Sequence, residues 1–228
     1  MTALASNIIP FPGATRAHPA CEPLAFTIGA RVDLRIGALA SGVVRPRGPV
    51  MDAFSFSGLS RLLRAARMAW RERGVHAPMT LALPEEIQPH LDPELLNDAA
   101  MEAGCTTRGL SFQVCERALI NAGPELAEHL RAQGWGVVLR GDADCPLPLS
   151  KRARLLYAEL VLDAPESPNP FLGVARADRS PLSQRIAAAA EAGIVITAEN
   201  VQSASHAKLL AIAGFDRGGG RFAEAGLR

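Results

Sequence analysis

Leu126–Arg140, LAEHLRAQGWGVVLR, holds a helix, a glycine stop and a strand in one short run. The helix is closed by Gly134, and the apolar strand that follows, WGVVLR, ends on Arg140. A strand that is apolar without alternation is read as buried on both faces, as strands of a parallel sheet are. Helix and strand together form one β/α unit, and the fold depends on how often that unit recurs.

Outward from this stretch the pattern repeats. Downstream, PLSKRARLLY (148–157) reads as a helix, AELVLD (158–163) as a strand and SPLSQRIAAAAEAG (180–193) as a helix. IVITAE (194–199) and SASHAKLLAIAG (203–214) continue the alternation, and a short segment around GRFAEAGL ends it. Upstream, LAFTIGARVDLRIGALASGVVRPRG (24–48) reads as two strands meeting near Arg35–Gly37. In FSGLSRLLRAARMAWRERG (56–74), Leu59, Leu62, Leu63, Ala66 and Trp70 recur at helical spacing, with Gly74 as the stop. APMTLALP (77–84) and GLSFQVCE (109–116) are strands. Between them DPELLNDAAMEAG is a helix with Asp92 as N-cap, Pro93 in its first turn and Gly104 at its end. Strands alternating with single helices predict parallel β/α units, and about eight of them favour a closed barrel over an open sheet. No glycine fingerprint follows the first strand, which weighs against a dinucleotide fold.

Composition sets the outer limits. The 228 residues are 48% hydrophobic, enough for a full core, as two small domains or one barrel. The formal net charge of +1 and the scattered basic residues, mostly arginine, argue against nucleic acid or a membrane surface as partner. Cys21, Cys105, Cys115 and Cys145 lie far apart and are expected as free thiols in a reducing cytoplasm. The apolar runs are too short to span a bilayer, and residues 1–22 lack the pattern of a signal peptide. These residues are expected to be a loosely ordered arm, with Ile8, Ile9 and Phe11 as a short docking segment, and residues 23–228 the barrel.

In a β/α barrel the chemistry sits at the C-terminal ends of the strands. GDADC (141–145) first suggests a divalent-metal pair in Asp142 and Asp144. Yet the strand ends on Arg140 and Gly141, and an arginine there competes electrostatically with a cation. Ser41, Leu81, Val161 and Gly219 stand at other strand ends and offer no carboxylate; Glu116, Asp163 and Glu199 do. DRGGGR (216–221) has neither the Lys-Ser/Thr of a phosphate loop nor the repeats of an RNA-binding segment, and reads as the turn and start of the last strand. Histidines 18, 76, 90, 129 and 206 have no partner at ligand spacing and are expected in surface or capping roles. No serine or cysteine sits in a nucleophile motif.

The ordered strand ends resemble the EAL domain of cyclic di-GMP phosphodiesterases. LSFQVCERALI (110–120), LAEHLRAQGWGVVLRGDADC (126–145), AELVLD and GIVITAENVQSASHAKLLAIAGFDRGGGRF (193–222) carry it, with ASGVVR and MTLALPEEI fitting more loosely. The resemblance implies a single modified triose-phosphate-isomerase-type (β/α) barrel of the α/β class. It also implies lost catalysis. The Glu-Ala-Leu signature falls on Ser41, Gly42 and Val43, and the next metal-binding Asn on Leu81. The first Glu of Glu-Ile-Thr-Glu falls on Gln113, the tandem Asp-Asp on Arg140 and Gly141, the catalytic Lys on Val161 and the late Gln on Gly219. Glu116, Asp163 and Glu199 remain as vestigial metal positions, while Asn200 and Gln202 replace a Gly and a second Glu. A two-metal phosphodiesterase needs carboxylates to gather its ions, and about four negative charges are gone.

Two readings of function follow. The leading one is a catalytically inactive, cytoplasmic bacterial EAL-like domain that works as a protein-binding regulator or adaptor, as degenerate members of the family do in motility and cell-cycle control. It has no cofactor and an unidentified protein partner, with the arm and the arginine-rich helix of residues 60–73 as contact surfaces. The alternative is a non-hydrolysing cyclic di-GMP receptor, with Arg45 on a phosphate and Glu199 on a base edge. Pairing of the vestigial carboxylates with nearby arginines, Arg140 among them, is expected to outweigh retention of a cation. Dimers formed through barrel helices are compatible with either reading.

Overall fold

The structure, a computed structural model, describes residues 25–47, 53–72, 76–141, 149, 153–166 and 180–225. The arm, Gly74, the Asp142–Asp144 pair, His18, Cys21 and Cys145 lie outside these residues.

Eight strands close into a barrel in sequence order. They are β1 (Ala25–Asp33), β2 (Leu39–Arg47), β3 (Met79–Ala82), β4 (Leu110–Cys115), β5 (Gly136–Arg140), β6 (Glu159–Asp163), β7 (Val195–Glu199) and β8 (Arg217–Gly219). From β2 to β8 each strand runs parallel to the next, as the alternation predicts. β1 differs: it pairs antiparallel with both β2 and β8. The cause is the connection after it. Asp33 accepts from the N–H groups of Arg35 and Ile36, Gly37 takes φ +72°, and the Asp33 N–H donates to Ala38 O. A turn this short can join only antiparallel strands, because a parallel pair needs a long crossover.

The outer helices are α1 (Phe56–Glu72), α2 (Pro93–Glu102), α3 (Glu116–Ala122), α4 (Glu125–Ala132), α5 (Ala153–Leu156), α6 (Pro181–Ala192), α7 (Ala204–Ile212) and α8 (Arg221–Ala225). α2 begins as its sequence dictates, with the Asp92 side chain accepting from the Glu94 N–H and Pro93 in the first turn. Ser180 and Ser203 cap α6 and α7 in the same way. Two helices, not one, lie between β4 and β5. Gly123 at φ +92°, followed by Pro124, ends α3 before α4 begins. Near the C-terminus, DRGGGR supplies the whole of β8, and Arg221 opens α8.

The main core lies between the strands and the helices. Leu59, Leu62, Leu63, Ala66 and Trp70 of α1 are all buried there, as their spacing requires. Phe112 meets Trp135 edge to face, with centroids 5.6 Å apart, and the Trp135 indole donates to Asn97. Cys105 is buried and Cys115 half-buried, both as free thiols. No described helix is long and apolar enough to cross a membrane.

The fit of α1 on β2 is tight at one point. A Cβ on Gly42 would lie 2.7–2.9 Å from the Trp70 ring. That ring cannot easily retreat, because its Nε1 donates to Ala77 O at 2.9 Å. Gly42→Ala is therefore expected to destabilise the barrel by about 1–3 kcal/mol through overpacking. Urea unfolding followed by tryptophan fluorescence measures it, with Gly37→Ala as a control where a Cβ meets no atom but the backbone conformation is strained.

Candidate functional site

Strand alternation sorts side chains between the lumen and the helix layer. Leu81 pairs in register with Val44 and Phe112, and all three belong to the helix-side core. Its neighbour Ala82 pairs with Gln113, whose side chain reaches into the lumen. The lumen-facing residue at that level of β3 is thus Ala82 and not Leu81, one position from where the resemblance puts the metal-binding Asn.

The lumen is organised by a residue the strand-end reading passes over. Arg31 of β1 has a fully buried guanidinium. Nη1 donates to Glu159 Oε1 at 2.9 Å, and Nη2 donates to Gln113 Oε1 at 2.7 Å and Glu199 Oε1 at 2.8 Å. Each acceptor carboxylate has further partners. Glu159 accepts from Thr197 Oγ1 at 2.7 Å and from Arg217 Nη1 at 2.8 Å. Glu199 accepts from Arg45 Nη2 at 2.6 Å. Three arginines and two glutamates from five strands therefore form one cross-barrel network.

Two glycines leave space for it. A Cβ on Gly219 would approach Arg31 Cγ to 3.5 Å, and one on Gly29 would approach Arg45 Nη1 to 3.1 Å. Burial alone would raise the Glu199 carboxyl, but the Arg45 and Arg31 guanidiniums outweigh it and hold that carboxyl below its ordinary value of 4.5.

The remaining sequence-derived positions lie around this network. Glu116, at the first turn of α3, is fully buried and accepts from Arg185 of α6. Asp163 accepts from Asn200 Nδ2 at 3.1 Å, and Arg140 Nη2 stands 3.9 Å from its other oxygen. Asn200 holds φ +65°, in the left-handed region that Asn tolerates. Ser41 is buried opposite Arg31 in the β1–β2 register, and Val161 is buried beside Arg140. A Cβ on Gly141 would strike Leu162. Glu116, Asp163 and Glu199 thus each face an arginine, and Arg45 and Glu199, the two candidate nucleotide contacts, hold each other. Among the described residues, no three His, Cys, Asp or Glu side chains converge as a metal's ligand set would. The mouth keeps a cleft of about 580 Å³ lined by Arg45, Gln113, Glu116, Arg117, Arg140 and Asp163, among others.

Arg31, Glu159, Arg217 and Arg185 escaped the sequence reading. The available signals were a charge inside the apolar AFTIGARVD strand and another at the start of ELVLD.

This architecture is shared with solved structures. The fold is that of the EAL domains. The phosphodiesterase PaMucR, solved with c-di-GMP, aligns at a TM-score of 0.64 and 17% identity, covering 86% of this chain and 93% of that one. Klebsiella pneumoniae BlrP1, in a calcium and cyclic di-GMP complex, aligns at 0.65 and 16%, covering 88% of this chain and 55% of that one. The EAL domain of Mycobacterium smegmatis DcpA aligns at 0.58 and 19%, covering 86% and 88%. No protein-family model matches the sequence, and no curated protein does.

The network predicts two behaviours. Arg31→Met leaves buried glutamates short of a partner and is expected to cost about 3–5 kcal/mol in chemical denaturation. For Glu199 the sign follows from its lowered value. Its contribution to stability is present above 4.5 and is lost as pH falls through the folded-state value. The unfolding free energy of Glu199→Gln should therefore fall less steeply with acid below pH 4.5 than that of the wild type.

Proposed function

We propose that this barrel does not hydrolyse cyclic di-GMP and acts as a protein-binding regulator built on the EAL fold. The observation that carries this reading is the Arg31 guanidinium, seated in the lumen between Glu159, Gln113 and Glu199. A divalent ion needs several oxygen ligands free to converge on it, and a two-metal mechanism needs two such sets. Here Glu199 is committed to Arg31 and Arg45, Asp163 to Asn200 with Arg140 nearby, and Glu116 to Arg185. The strand-end positions add Ser41, Gln113, Arg140 and Gly141 in place of acids. This donor set does not fit a pair of divalent cations.

What remains is a stable scaffold with surfaces to offer. α1 presents Arg61, Arg64, Met68 and Arg71 to solvent, and the neighbouring α2 adds the exposed Met101. α1 and α2 pack together, Arg64 pairs with Glu102 across them, and a face of exposed methionines and arginines suits a protein partner with apolar and acidic groups.

Two measurements on the full chain test the reading. Incubation with cyclic di-GMP and Mg²⁺ or Mn²⁺ is expected to yield no product above a blank, and turnover abolished by a chelator would overturn it. Calorimetry with cyclic di-GMP is expected to show no saturable heat. Micromolar binding without turnover would replace the adaptor by a receptor, with Arg45→Ala as the variant that weakens it.

A further inference from the structure

At the opposite end of the barrel from the mouth lies a cavity of about 240 Å³. It opens between the C-terminal end of α1, the approach to β3 and the loop from α2 to β4. Its basic lining residues are Arg67 and Arg71 of α1 and Arg108 of the loop, with the His76 side chain beside them. No aspartate or glutamate is among its described lining residues. That contrasts with the mouth, where arginines and carboxylates are interleaved and largely neutralise one another.

The cavity also has fixed parts. The Arg67 guanidinium donates to the Ala103 carbonyl, which pins it at the cavity wall. Gly104, at φ +69°, leaves it room, since a Cβ there would lie 2.7 Å from Arg67 Nη1. Trp70 is held through its indole N–H by Ala77 O, so the apolar wall of Trp70, Pro78 and Met79 is equally set. Thr106 adds a hydroxyl.

We propose that this cavity binds a small metabolite carrying a phosphate monoester. Three guanidinium groups without a carboxylate favour a dianion over a single negative charge, and their planar forks match phosphate oxygens. The apolar wall beside them gives a compact organic body a surface to lie on. The site is separate from the mouth and shares Arg71 with the exposed α1 face, and its test, direct binding of phosphate compounds to the protein alone, needs no protein partner.

Titrations of the full-length protein at low salt test it, using inorganic phosphate, glycerol 3-phosphate, adenosine 5′-monophosphate and succinate, read by calorimetry and ³¹P line broadening. Saturable binding is expected for at least one monoester, tighter than for inorganic phosphate and weakening steeply with added salt. Arg71→Ala combined with Arg108→Ala, both exposed positions, should weaken it tenfold or more while leaving the circular dichroism unchanged. Arg154→Ala on α5 and Arg45→Ala in the mouth should leave it unaffected. No saturation for any phosphate, or equal binding by the double variant, would overturn the proposal. Loss on Arg45→Ala would move the site to the mouth, and equal affinity for succinate would remove the phosphate assignment.

Discussion

A single buried cation ties this barrel together. Arg31 reaches from β1, the strand that runs against all its neighbours, to side chains on β4, β6 and β7. A guanidinium with no exposed surface persists only where its charge is met by carboxylates in good geometry. Glu159 and Glu199 meet that charge, and Arg217 and Arg45 in turn balance the two glutamates. A Cβ on Gly29 would crowd Arg45 Nη1 at 3.1 Å, whereas one on Gly219 would make only ordinary contact with Arg31. Through this network the lumen of the barrel is occupied by paired charges.

That pairing explains the character of the mouth. Acidic groups stand at the ends of β6 and β7 and at the start of α3; Glu199 and Glu116 are paired with arginines, while the exposed Asp163 accepts from Asn200 with Arg140 3.9 Å away. Positive charge in the lumen and at the mouth comes from the Arg31, Arg45, Arg217, Arg140 and Arg185 side chains. The opposite end of the barrel has the reverse arrangement, with arginines gathered around a cavity and no described carboxylate to neutralise them.

Much of the fold was legible because its signals are local. Helical spacing marked the buried face of α1, Asp92-Pro93 marked the start of α2, and apolar runs marked β4 to β7. Three features were not legible. β1 pairs antiparallel with the distant β8 as well as with β2, whereas the β/α alternation predicts parallel units. α3 went unread, because its residues lie between the strand GLSFQVCE and the Gly-Pro step at which the helix AGPELAEHLRAQG is read to begin. The lumen side of β3 shifts by one residue, from Leu81 to Ala82, and only the cross-strand register decides that.

The site divides along the same line. The sequence by itself determined which residue types stand at the strand ends: serine, glutamine, arginine and glycine beside Glu116, Asp163 and Glu199. Only the tertiary structure decided what those acids do, because Arg31 is 128 residues from Glu159 and 168 from Glu199. Pairing across such separations leaves no trace in local spacing. It arises when barrel closure sets β1 beside β8 and brings distant strands around one lumen, where a buried charge must find its counter-charge.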